Sequence, residues 1–182
     1  RVNFAIVASG PNAASPHHEP GGRRIEAGEG ILFDIGGTVL DDDGVGYCSD
    51  ITRCVHTGPV PAEFQEAYDA LQAAQAQAVA AAVVGTPAEA VDKVARDRLA
   101  EAGLAEYFIH RLGHGIGVEE HEDPYLVSGN GMPLMPGNAF SIEPGFYIPN
   151  RWGARLEDIV VATEQGPLAL NKADHSLVVV DA

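Results

Sequence analysis

Basic residues are scarce in this 182-residue chain: 11 Lys and Arg stand against 26 Asp and Glu, a formal charge of −15 at pH 7. Such a balance repels phosphate backbones and anionic lipid unless a local basic patch intervenes, which sets nucleic acid and membrane surfaces aside as partners. Long apolar runs are also missing; none approaches the roughly 18 residues that a membrane span needs. The first residues show no charged-then-apolar secretory pattern, so a soluble protein is expected. Cysteine is nearly absent. Cys48 and Cys54 are too few for a disulfide framework, and their spacing would point both to one face of a strand, as expected of reduced thiols in a cytoplasm. The chain opens on Arg1 and directly on the apolar run "RVNFAIVASG", which suits part of a longer polypeptide with N-terminal material missing.

What is present suffices for one domain spanning 1–182, since a chain of this size buries roughly two thirds of the surface its unfolded form exposes. The first 60 residues alternate β-like runs, "NFAIV", "GILFDIGG" and "GYCSDITRCV", with Gly, Pro, Asn and Asp clusters. Between the second and third runs, "DDDGVG" at 41–46 reads as a hairpin tip. From Pro61 to Val84 the period changes. Phe64, Ala67, Tyr68, Leu71, Ala74, Ala78 and Ala82 recur at helical spacing. "TPAE" at 86–89 then offers a hydroxyl N-cap, Pro at the first helical position and a capping-box Glu. Val91, Val94, Ala95, Leu99 and Ala102 supply the stripe of this second helix, and Gly103 suits its left-handed end. Strand-like runs return in "FSIEPGFYI", "GARLEDIVVAT" and "HSLVVV". Strands, two helices and strands again predict an α+β domain with its helices on one side of a mainly antiparallel sheet.

Asp34 in "LFDIGG" and Asp50 in "CSDITR" lie on segments that a hairpin would pair, bringing two carboxylates to one face. Adjacent carboxylates repel, so a cation or a shared proton must offset them. Either acid alone reads equally as a turn opener or an exposed strand residue. Glu143 in "SIEPG" and Glu157 in "RLEDIV" sit within apolar runs where a solvated acid is unexpected, although pairing with Arg155 is an ordinary explanation for one of them. His114 adds an imidazole between the glycines of "GHGIG", which let backbone approach closely; a single such histidine is often only a core residue. Four carboxylates and one imidazole together are what two divalent cations bridged by an oxygen ligand require.

In order and wording, "FDIGG", "SDITR", "HRLGHGIG", "HEDP", "SIEPG" and "RLEDIV" resemble the pita-bread metallopeptidase family, which holds methionine aminopeptidases, aminopeptidase P, prolidases and creatinase. The resemblance runs from about residue 6 to residue 171 and is strongest to bacterial Xaa-Pro dipeptidases. It implies a curved sheet with helices on its outer face, lacking here the first helices and the N-terminal domain. It implies metal ligation by Asp34, Asp50, His114, Glu143 and Glu157. It gives His121 and His110 roles in catalysis, His17, His110 and Arg155 roles in binding substrate, and Glu143 a second role as proton shuttle. Without the family, His17, His110 and His121 read as turn or surface histidines, and Arg155 as a neutraliser of the acids. Between Asp34 and Asp50 the spacing exceeds the family's, and the extra residues are expected to loop out at the hairpin tip.

The activity implied is hydrolysis of the N-terminal peptide bond of Xaa-Pro peptides by a hydroxide bridging two cations. Manganese suits the carboxylate-rich set, with cobalt, zinc or iron as alternatives. Four carboxylates against two divalent cations and one hydroxide leave a centre near −1. Short proline-containing peptides are the implied partners, and a homodimer the implied form of the full-length protein. The alternatives are a silent pita-bread module that binds peptides or proteins, and a creatinase-like hydrolase that works without metal. If the chain begins at Arg1, apolar sheet surface normally covered by helices is exposed, which predicts association or low activity.

Overall fold

A computed structural model describes residues 1–181. Strand β1 (Val2–Ser9) leads through a short 3-10 turn (Gly10–Ala14) to β2 (Gly30–Leu40), which returns as β3 (Gly46–Thr57). Two helices follow, α1 (Ala62–Ala81) and α2 (Ala88–Glu101). The remaining strands are short: β4 (Gly113–Gly115), β5 (Glu122–Leu126), β6 (Ala139–Ile142), β7 (Gly145–Ile148), β8 (Trp152–Arg155), β9 (Asp158–Thr163), β10 (Gly166–Ala169) and β11 (Val178–Val180). They form a four-stranded sheet in the order β1-β2-β3-β11, a five-stranded sheet in the order β10-β9-β6-β4-β5, and the ribbon β7-β8. Pairing is antiparallel except between β11 and β3. The α+β architecture is therefore as expected.

The stripe predicted for α1 is buried from Phe64 to Ala82, with Ala82 just past the helix end. Its alanines let α2 approach closely, and Val91, Ala95 and Leu99 complete the contact, while Ala102 is exposed. Both helices cover the five-stranded sheet through Leu126, Phe140, Ile142 and Val160, each side chain contributing ~1.5–3 kcal/mol of burial. The start of α2 departs from expectation. Pro87 is the N-cap and no side chain caps the helix. The Ala88 and Glu89 amides donate instead to the carbonyls of Met132 and Asn130 at 2.9 Å each, and Glu89 turns outward to accept the Gly129 amide at 3.0 Å. A tertiary loop thus does what the capping box would have done. Gly103 has φ +73° and ends α2 as expected.

The long hairpin also differs. Pairing of β2 with β3 runs without a break from Gly30–His56 to Leu40–Gly46, so the additional residues lengthen the ladder and only 41–45 remain at the tip. On the outer face of this sheet Val7, Ile35, Val39 and Tyr47 are exposed. On the inner face β3 alternates to bury Asp50, Thr52, Cys54 and His56. Among the described residues no helix is long and apolar enough to cross a membrane.

Candidate metal centre

The hairpin register places the first two acids. Asp34 is opposite Thr52, and Asp50 is opposite Gly36, so both carboxylates project from one face as diagonal neighbours. Gly36 is needed for a packing reason: a Cβ there would lie 2.2 Å from the ring of Phe4, which rests across the strand at this point. The other three groups come from a short strand and from the joints between strands. His114 is the middle residue of β4, whose flanking Gly113 runs so close to β6 that a Cβ would fall 1.9 Å from the Ser141 carbonyl oxygen. Glu143 follows β6 where Pro144 stops the ladder, and Glu157 lies between β8 and β9. A single antiparallel bridge, Thr52 with Glu157, joins the two sheets there.

All five groups line one cavity of about 780 Å³. Ligand atoms of Asp50, His114 and Glu157 lie within 4.8 Å of one another. Glu143 flanks them with Oε1 3.3 Å from His114 Nε2. Asp34 flanks them on the other side, 2.5 Å from Arg155 Nη2. Supporting groups orient these side chains. Thr52 Oγ1 donates to Glu157 at 2.6 Å and Ser141 Oγ to Glu143 at 2.8 Å. His114 Nδ1 donates to the Gly115 carbonyl at 3.0 Å, which turns Nε2 toward the acids.

The remaining residues named from the sequence divide. His17, His110 and His121 also line the cavity. His121 is exposed at its rim, its ring centroid 4.0 Å from that of His114. His110 donates through Nδ1 to the Arg111 carbonyl at 2.7 Å and accepts the Tyr147 hydroxyl at Nε2 at 2.9 Å, so both ring nitrogens are engaged by the protein. Arg155 lines the cavity too, is 2% exposed and bonds to protein groups: Asp34, the Tyr147 oxygen at 2.6 Å, Thr52 Oγ1 at 3.3 Å and the Pro16 carbonyl at 3.4 Å. Its guanidinium brings positive charge to the acid cluster and holds Asp34. Arg53 and Asp158, which flank Thr52 and Glu157, form an ion pair at 2.7 Å.

Sequence reasoning passed over Thr52, Ser141 and Tyr147, whose hydroxyls hold the acids, Arg155 and His110 in place. It also passed over Asp92 and Arg96 of α2. Buried Asp92 accepts the Leu112 amide at 3.0 Å, and Arg96 donates to the His110 carbonyl at 2.6 Å, which fixes the segment leading into His114. Spacing within α2 (i, i+4) could have flagged this pair; nothing local flags the hydroxyls.

Electrostatically the cluster is unbalanced. Burial, then the Asp34 and Glu143 charges, push the Asp50 carboxyl up to about 8. Burial, then Glu143 and Asp50, likewise raise Glu157 well above the usual carboxylate range. Glu143 moves the other way. Burial raises it, but the His114 contact and then the Arg155 charge outweigh that and hold it down at about 2. Burial, then the neighbouring His114, keep His121 below its ordinary value. Asp34 Oδ1 and Asp50 Oδ1 are buried with no hydrogen-bond partner among the described residues. Two orphaned carboxyl oxygens beside an imidazole nitrogen and two further acids fit divalent cations, which satisfy such atoms without donating hydrogens.

Comparison with known proteins agrees with this chemistry. A model of metallopeptidase family M24 matches residues 1–164. A probable dipeptidase PepE of Mycobacterium tuberculosis is 52% identical over 179 residues, covering 98% of this chain and 47% of that protein. An Xaa-Pro dipeptidase of Lactobacillus helveticus is 45% identical over 175 residues, covering 96% of this chain and 46% of that protein. The crystal structure of dipeptidase PepE from Mycobacterium ulcerans matches with a TM-score of 0.94 at 52% identity, covering 100% of this chain and 48% of that one. The chain thus spans about half the length of the curated relatives it matches.

Proposed function

The chain belongs to metallopeptidase family M24, and from that premise we propose that it hydrolyses the N-terminal peptide bond of short Xaa-Pro peptides with two divalent cations held by Asp34, Asp50, His114, Glu143 and Glu157. The observation that carries this reading is the convergence of Asp50, His114 and Glu157 within 4.8 Å beside orphaned oxygens of Asp34 and Asp50. Crowded acids with raised carboxyls are stable as anions only when positive charge joins them. Manganese is the first choice for so carboxylate-rich a set, with cobalt, zinc and iron also compatible with the imidazole. Divalent cations bound here would supply Lewis acidity and a water-derived nucleophile at neutral pH.

The chain's own groups would do the rest. His121, exposed beside His114 at the rim, is free to donate toward the peptide carbonyl oxygen as charge develops on it. Glu143, low enough to be ionised at neutral pH, would accept a proton and deliver it to the leaving nitrogen. Proline makes that delivery essential, because its nitrogen leaves a tertiary amide. His17 and the ring of His110 wall the part of the cavity that the residue after the scissile bond would occupy. Arg155 would serve as the fixed countercharge of Asp34.

Three substrates test the reading: an Xaa-Pro dipeptide, a longer Xaa-Pro peptide and creatine, each with and without added manganese or cobalt. Metal-dependent release of proline or of the first residue supports it. Turnover of creatine without metal would favour the creatinase-like alternative, and metal-loaded protein that binds peptides without cleaving them would favour the silent module.

A further inference from the structure

Asp34 and Asp50 stand on one sheet, and His114, Glu143 and Glu157 on or beside strands of the other. The opening between them therefore depends on how β3 meets β9. The joint is one antiparallel bridge in which the Glu157 amide donates to the Thr52 carbonyl at 3.2 Å. In a regular antiparallel ladder the next bonded pair lies two residues along each strand, which here is Asp50 with Ile159. That direct bond is not made. The side chain of Asn171 stands between the two strands instead: Oδ1 accepts the Ile159 amide at 2.6 Å, and Nδ2 donates to the Asp50 carbonyl at 2.9 Å. The Ile159 carbonyl is likewise taken by the Leu170 amide, at 2.8 Å. One planar amide thus replaces one strand-to-strand hydrogen bond with two in series.

Building on the metal-centre reading above, we propose that Asn171 is a spacer: a positioning residue that sets the separation of Asp50 from the Glu157 strand and so the room for cations between them. The chemistry requires a donor and an acceptor held in one plane, which among side chains of this length only Asn supplies. Aspartate would set an oxygen against the Asp50 carbonyl. Serine is too short to span the gap and would let Ile159 close directly onto Asp50. The segment carrying Asn171 is anchored independently. Arg53 donates to the carbonyls of Ala173 and Asp174 at 2.9 Å each while paired with Asp158. Loss of the amide therefore acts locally, on the spacing.

The test compares wild type with Asn171→Asp and Asn171→Ser by calorimetric manganese titration, by spin coupling between bound manganese ions, and by melting of the metal-free protein. Melting temperatures close to wild type are expected, with manganese bound ~10–100-fold more weakly and altered coupling. Turnover should fall at limiting manganese and recover at saturating manganese, with KM for peptide unchanged. Wild-type affinity and coupling in both variants would overturn the proposal. So would variants that fail to fold or lose stability equally with and without metal, since Asn171 would then be merely structural. A wild type that takes up no manganese would refute the metal-centre reading instead. The spacer would then be decided in metal-free crystals of Asn171→Ser, where a direct Ile159–Asp50 bond supports it and an unchanged gap overturns it.

Discussion

Asp34 and Asp50 sit inside a hairpin whose pairing continues for eleven residues on either strand, whereas Glu143 and Glu157 sit in the gaps where β6 gives way to β7 and β8 to β9. In the hairpin, position follows from register: once Gly36 is opposite Asp50, both carboxylates must face inward. In the gaps no ladder fixes the side chain, and hydroxyls do so instead, Thr52 for Glu157 and Ser141 for Glu143. One half of the centre is set by backbone periodicity and the other by side-chain tethers. The two halves should therefore fail differently when altered.

The largest effect expected is common to both. Asp50→Asn and Glu157→Gln each remove the charge of a proposed ligand, and steady-state assays with manganese should show kcat/KM down by roughly 10³-fold, the equivalent of about 4 kcal/mol. Removing the tether Thr52→Val should cost ~10–100-fold. Arg155→Met is read in stability rather than in rate. It strips the countercharge from buried Asp34, and urea unfolding should register a loss of roughly 3–5 kcal/mol in the metal-free protein.

A sharper contrast uses glycine. Gly113→Ala drives a Cβ into the main-chain carbonyl of Ser141, which cannot move cheaply, whereas Gly36→Ala meets the Phe4 ring, which can swing away. Both should destabilise within roughly 1–3 kcal/mol by thermal melting, Gly113→Ala at the upper end. Equal losses would erase the distinction between the halves. The pH response follows from Asp50. Its folded carboxyl, raised from 3.8 to about 8, binds a proton that the unfolded chain has already released, so stability of the metal-free protein falls as pH rises between those values. Glu157 acts in the same sense, and Glu143, held down at about 2, opposes them only below its ordinary range. Denaturant midpoints from pH 5 to pH 8 should decline without metal and flatten with manganese. The smallest effect belongs to the hairpin tip, where Asp43→Ala, exposed and remote from the cluster, should change stability by no more than about 0.5 kcal/mol.

The same division explains what could be read from the amino-acid sequence. Strands β1 to β3 and the stripe of α1 were legible because their period and their burial coincide, from Asp34 and Asp50 to Phe64 and Tyr68. Strands β4 and β5 were not, because three residues of "GHG" carry no period and the segment is ordered by Asp92 and Arg96 from a distant helix. The start of α2 misled for a related reason: "TPAE" has the local capping pattern, but carbonyls of Met132 and Asn130 reach its amides first. The four acids and the imidazole were singled out as a set through family motifs. The groups that hold them, Thr52, Ser141, Tyr147 and Asn171, are ordinary polar residues until folding brings them within hydrogen-bond reach.

Crystals of the protein equilibrated with manganese give the most direct test of the central claim, that these buried acids are tolerated because they share cations. Anomalous scattering should show two peaks, roughly 3.5–4 Å apart, one within bonding distance of Asp50, His114 and Glu157 or their neighbours Asp34 and Glu143, and both inside the cavity. A map with manganese bound only at surface carboxylates, and the cavity acids still turned to Arg155 and to one another, would contradict it.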